Sequence, residues 1–145
     1  MGESSLPGDA APVPAGAVPL LAADFDAATL ANLRGQLNRC GAASGLGDLN
    51  LSNFVLAVNE IATNAVRHGG GSGHLRLWQL DPDLWCEVAD HGAGIPASRL
   101  NGFHRPQPGH IGGWGLWLAR HLCVSLDIET GKTGTRVLLR YSLHR

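Results

Sequence analysis

The stretch that decides the fold is Glu60-Ile61-Ala62-Thr63-Asn64-Ala65-Val66-Arg67-His68-Gly69. From Leu51 to His68 the apolar residues recur at three- and four-residue spacing, which predicts a helix with one apolar face. Glu60, Asn64 and His68 fall on a different arc of the same helix. The helix is therefore expected to carry a core face and a separate polar stripe.

Recognisable signals bound this helix at both ends. Asp48 or Ser52 can cap its start, and Gly69-Gly70-Gly71 ends it. Two interpretations of the polar stripe stay open at this point, namely solvated surface residues and a set of functional groups. Because asparagine is a mediocre helix former, its occurrence at positions 53, 59 and 64 favours the functional interpretation.

Two glycine-rich boxes follow downstream. Asp90-His91-Gly92-Ala93-Gly94-Ile95 comes after a predicted strand over Leu84–Ala89, and its glycines permit positive φ and close approach to a ligand. Gly112-Gly113-Trp114-Gly115-Leu116 opens a predicted helix that ends near Leu122, and free N–H groups at a helix start suit phosphate oxygens. Each box alone also fits an ordinary turn or hinge. In this order, a base or metal ligand, an adenine acceptor and a phosphate cradle indicate an ATP site.

The composition fits one cytoplasmic domain. The chain has 145 residues and a formal net charge of −1, which gives no reason to expect a nucleic acid or an anionic membrane as a direct partner. No apolar run approaches the roughly 20 residues that span a bilayer, and the N-terminus lacks a secretory signal. Cys40, Cys86 and Cys123 are expected to be reduced core thiols. The seven histidines do not pair with them at zinc-finger spacing.

The rest of the chain alternates helix and strand patterns. Residues 1–19 are rich in Pro, Ala, Gly and Ser and are expected to be a disordered leader to a domain over 20–145. Further expected elements are an edge strand over 20–23, a helix over 26–43, and strands over 74–80, 126–130 and 135–143. Residues 98–111, which include two prolines, are expected to form a lid loop. Strand pairs interleaved with helices predict an α+β fold, a two-layer sandwich.

The motifs together resemble the GHKL ATPase superfamily, whose members include gyrase, Hsp90, histidine kinase and MutL relatives. Glu60–Gly69 resembles its N box, Asp90–Ile95 its G1 box, Gly113–Leu116 its G2 box, and Gly134-Thr135-Arg136-Val137 its late Gly-Thr segment. The resemblance covers about residues 20–143 and is nearest to bacterial anti-sigma-factor serine/threonine kinases. It implies the Bergerat fold, a mixed and mostly antiparallel sheet covered by helices on one face, with ATP between the helices and the lid.

The resemblance assigns a role to each motif residue. Asn64 would be the protein ligand of Mg²⁺, a hard cation that binds oxygen and keeps several waters. Glu60, one turn earlier, would be the catalytic residue that takes a proton from the attacking hydroxyl or water. Asp90 would accept a hydrogen bond from the adenine amino group. The other expected contacts to ATP are His68, Gly92, Gly94, Ile95, Gly113, Gly115, Leu116 and Thr135.

Some assignments stay open within this resemblance. His68 either faces the phosphates or only caps the helix, and Arg105 either reaches the γ-phosphate or lies in solvent. Trp114 and Trp117 are expected to pack in the core or lid rather than stack on the nucleotide. The roles of His104 and of the other lid residue His110 are not defined by the pattern.

The resemblance implies a regulatory protein that uses ATP and Mg²⁺. As a serine/threonine kinase it would phosphorylate an anti-sigma-factor antagonist with a STAS domain, bind a sigma factor, or do both, and a homodimer is also considered. Two alternatives stay open, which are an ATP-gated binding module without kinase activity and a histidine-kinase-like catalytic domain. The chain shows no helix pair with a phosphoacceptor histidine, which counts against the last as a self-contained enzyme.

Overall fold

The computed structural model describes residues 13–95 and 114–143, with only the backbone of residues 114–116. The described residues form five strands and three helices. Their bounds are β1 (Val18–Asp26), α1 (Leu30–Ala43), α2 (Asp48–His68), β2 (Ser72–Leu80), β3 (Asp83–Asp90), α3 (Trp114–Leu122), β4 (Ser125–Gly131) and β5 (Gly134–Ser142).

The strands form one sheet with the order β1-β2-β3-β5-β4. All four described pairings are antiparallel. The resemblance implied a mixed and mostly antiparallel sheet, and the described sheet contains no parallel pair. The strand expected at 20–23 is indeed an edge strand, although β1 is longer and begins two residues before the expected start of the domain. The predicted α+β architecture is confirmed.

The core lies between one face of the sheet and the helices. Alternate residues of the inner strands point into it, among them Leu75, Val88 and Leu139, as the two-residue period of a strand requires. Phe54 and Val58 of α2 are fully buried against them. Since all five strands contribute apolar residues to the same cluster as the helices, α2 is held along the middle of the sheet.

The opposite face of the sheet is polar and aromatic. Glu87 of β3 bridges Arg76 at 3.0 Å and Arg136 at 3.4 Å, although its side chain is only 9% exposed. The rings of Trp78 and Trp85 stack with their centroids 6.5 Å apart. A buried carboxylate is tolerated here because a guanidinium flanks it on each side. The contrast between the two faces is the reason that the helices pack on one of them.

Local side-chain chemistry shifts two helix starts from their predicted positions. Helix α1 begins at Leu30 and not at residue 26, because the Asp26 carboxylate accepts hydrogen bonds from the backbone N–H groups of Ala28 and Thr29. This turn competes with the first helical turn. Helix α2 has Gly47 at its N-cap, so neither Asp48 nor Ser52 caps it. Asp48 instead lies in the first turn, where the helix dipole favours a negative charge.

The three cysteines, all among the described residues, are thiols outside any disulfide bond. Cys86 and Cys123 are buried in the core, and Cys40 is half-buried. Burial raises the pKa of the Cys86 and Cys40 thiols, which keeps both in the neutral form. Among the described helices none is both long enough and apolar enough to cross a membrane.

The segment after β3 runs tightly against the turn between β4 and β5. Gly94 has a φ of +92°, and a Cβ atom there would lie 2.3 Å from the Gly131 carbonyl oxygen. Gly45, between α1 and α2, has a φ of +106° but no neighbouring atom within 4 Å. A substitution at Gly45 therefore tests the cost of positive φ alone, whereas a substitution at Gly94 adds the cost of steric overlap.

We expect Gly45→Ala to lower the free energy of unfolding by about 1–2 kcal/mol, which is the cost of placing a side chain at positive φ. Gly94→Ala should lower it by roughly 1–3 kcal/mol more, because the added methyl group also overpacks the contact with Gly131. Urea unfolding followed by circular dichroism measures both. Equal losses in the two variants would contradict the close contact after β3.

Candidate functional site

A cleft opens between the C-terminal half of α2 and the adjoining ends of β3 and β5. The antiparallel register explains why these residues meet, since Val88 lies opposite Val137 and Asp90 lies opposite Thr135. The apolar wall of the cleft consists of Ile61, Ala65, Val88, Ile95 and Val137. Such a wall suits a flat, largely apolar ring system.

Asp90 is the buried acceptor of this cleft. Its Oδ1 atom accepts hydrogen bonds from the Gly92 N–H at 2.9 Å and the Thr135 N–H at 3.2 Å. Among the described residues no donor is hydrogen-bonded to its Oδ2 atom, although Asp90 is only 8% exposed. Burial raises the pKa of Asp90, and the two N–H donors partly counteract that effect. In the described residues, Oδ1 of Asp90 is therefore hydrogen-bonded to the backbone, and Oδ2 can accept a hydrogen bond from a ligand.

Two glycines bring the end of α2 against the residues that follow β3. A Cβ atom on Gly69 would lie 2.3 Å from Asp90 Oδ2, and one on Gly92 would lie 2.5 Å from the Gly69 backbone. Helix α2 ends at His68, and the Gly69 N–H still donates to the Ala65 carbonyl oxygen at 2.8 Å. Gly69 and Gly94 are among the described residues that line the cleft, whereas Gly92 lies beside them, against the Gly69 backbone.

A row of hydroxyl groups links the strand ends on the far side of the cleft. The Ile95 N–H donates to Thr130 Oγ1 at 2.7 Å, and Thr130 Oγ1 lies 2.8 Å from Thr135 Oγ1. Thr130 and Thr135 are cross-strand partners of β4 and β5. The row continues to Asp90 through the Thr135 backbone. It connects the first glycine-rich box to the β4–β5 hairpin.

The polar stripe of α2 reaches the cleft with two of its three members. Asn64 and His68 line it, whereas Glu60 lies one turn before Asn64, half-buried and outside the described lining. Within the described part of the chain the Asn64 amide makes no hydrogen bond, which leaves its oxygen available to a ligand. His68 is the last residue of α2 and is exposed.

The residues that line the cleft fit a Mg²⁺ ion whose ligands are mainly waters and phosphate oxygens. No group of three or more metal-ligating side chains occurs in residues 13–95 and 114–143. Mg²⁺ needs only one or two protein oxygens when waters and phosphates supply the rest. The amide of Asn64 at the edge of the cleft offers such an oxygen.

Other expected site residues are only partly described. Gly115 and Leu116 lie in the first turn of α3, of which the structure describes the backbone alone. Helix α3 packs against α2, so that its start belongs to the same layer as the polar stripe. Gly113 and the lid residues His104, Arg105 and His110 lie outside the described residues.

Sequence patterns singled out Ile95 but neither the other residues of the apolar wall nor Thr130. A signal for these wall residues exists, since Ile61 and Ala65 lie four residues apart on the helix that carries Asn64, and Val88 precedes Asp90 by one strand period. Val137 follows Thr135 at the same period. For Thr130 no motif exists, because its role depends on the register of β4 with β5.

The chain matches a family model described as histidine kinase-like ATPase domain over residues 23–141. A search among curated proteins found no match. The solved structures that share the fold include the following three. The histidine kinase domain from the Erythrobacter litoralis EL346 blue-light activated histidine kinase is 25% identical, with a TM-score of 0.55, and the match covers 77% of this chain and 65% of that one.

The other two structures are mycobacterial. The RsbU and RsbW domains of Rv1364c from Mycobacterium tuberculosis are 24% identical, with a TM-score of 0.63 and coverage of 90% of this chain and 32% of that one. The sensor histidine kinase MprB is 20% identical, with a TM-score of 0.54 and coverage of 84% and 97%. The chain thus spans less than two thirds of the first two structures. Because the family model extends over most of the chain and the fold agrees with it, the chain belongs to the histidine kinase-like ATPase domain family, which is of GHKL type.

Proposed function

We propose that this domain binds ATP with Mg²⁺ in the cleft between α2 and the strands β3 and β5. The observation that carries the proposal is the half-satisfied carboxylate of Asp90 at an apolar cleft. An acceptor in such a place favours a ligand that is flat and apolar on its faces and carries an N–H donor on its edge. The adenine ring with its amino group is a ligand of this kind.

The polar stripe of α2 would handle the phosphates. Asn64 would hold the Mg²⁺ ion, which supplies neutralisation of the phosphate oxygens when it is bound. Glu60 would accept the proton of the attacking hydroxyl. The N–H groups at the start of α3, near Gly113, Gly115 and Leu116, would donate to the phosphate oxygens.

As the acceptor of the γ-phosphate we propose a serine or threonine of a STAS-domain antagonist, in a cytoplasmic system in which this domain also binds a sigma factor. The Glu-x-x-x-Asn-x-x-x-His-Gly pattern and the likeness to a structure that contains an RsbW domain support this choice. Phosphoryl transfer is catalysed mostly by positioning and electrostatics, so efficient transfer would await the docked partner.

A second candidate is a histidine-kinase-like catalytic domain. The likeness of the fold to two histidine kinase structures favours it. The two candidates share the nucleotide site and differ in the residue that receives the phosphate. The chemistry of the phosphorylated product therefore separates them, since phosphoserine and phosphothreonine are stable in acid whereas phosphohistidine is not.

Millimolar Mg²⁺–ADP should raise the melting temperature of the wild type, because a ligand at 100 times its Kd stabilises the native state by about 2.7 kcal/mol. Asp90→Asn should lose the preference for ADP over GDP. The asparagine amide has an NH₂ donor as well as an oxygen acceptor, so it can also bind the carbonyl oxygen of guanine. Its ligand-free melting temperature should not fall, because burial raises the pKa of Asp90 and so disfavours its charge. Thermal melting of wild type and variant measures all three.

Asp127→Asn is the matched control, since Asp127 is exposed on β4 and should leave nucleotide selectivity unchanged. Absence of any thermal shift of the wild type at saturating ADP would refute the nucleotide site.

Asn64→Ala should weaken the Mg²⁺-dependent part of ADP affinity by about tenfold or more, equal to about 1.4 kcal/mol, and leave the Mg²⁺-free affinity unchanged.

Glu60→Gln should keep nucleotide affinity and lower the rate of phosphoryl transfer about 10²- to 10⁴-fold, as loss of a general base does. Calorimetry with and without Mg²⁺ and a phosphoryl-transfer assay measure these effects. Asn59→Ala is the control on the same helix, and a wild-type rate for Glu60→Gln would exclude the general-base role.

Incubation with labelled ATP and candidate STAS-domain proteins should place an acid-stable label on a serine or threonine of the partner. The isolated domain should hydrolyse ATP weakly, because the partner supplies the aligned hydroxyl. A partner with that residue replaced by alanine is the control. An acid-labile label would favour the histidine-kinase-like alternative, and ADP-sensitive ATP binding with no transfer to any partner would favour a binding module.

A further inference from the structure

We draw no further inference here: the strongest candidate, the pocket between the end of β1 and the start of β2 where the acidic side chains of Asp24 and Asp26 lie beside His74, carries nothing, because the 2.7 Å bond between Asp24 and His74 is internal to the cluster and no second observation among the described residues points to a ligand.

Discussion

The pairing of Asp90 with Thr135 is the contact on which the candidate site depends. It joins the end of β3 to the start of β5, and the Thr135 N–H helps to satisfy one oxygen of a buried carboxylate. If the register slipped by one residue, every side chain at this end of β5 would change face. Val137, the cross-strand partner of Val88, would then leave the cleft together with Thr135.

Keeping a carboxylate at this place has a cost. Burial disfavours the charged form of Asp90, and the backbone donors of Gly92 and Thr135 offset that cost only in part, since its pKa remains raised. A neutral side chain would be easier to bury. A buried acceptor at an apolar wall is typical of groups that serve binding rather than folding.

Close backbone contacts hold the three parts of the site together. Gly69 lets the end of α2 approach Asp90, and Gly94 lets the segment after β3 approach the β4–β5 turn. The hydroxyl of Thr130 then fastens the Ile95 backbone to the same turn. The end of α2, the end of β3 and the β4–β5 hairpin thus meet at the cleft, and the apolar packing of the other face of α2 places Asn64 and His68 there.

The sequence by itself determined the number and type of the described elements, because helix and strand periods and glycine punctuation are local properties. It also indicated Asn64, Asp90 and Thr135 through the order of their motifs, and the structure places all three at one cleft. Element ends were less accurate, as at Asp26, where a side chain competes with the helix for backbone N–H groups. Only the tertiary structure decided the register of β3 with β5, the contacts of Gly69 and Gly94, and the place of Thr130 behind Thr135. The physical reason is that these features join segments as much as 45 residues apart, and the pairing of distant strands follows from packing of the whole core rather than from any local pattern.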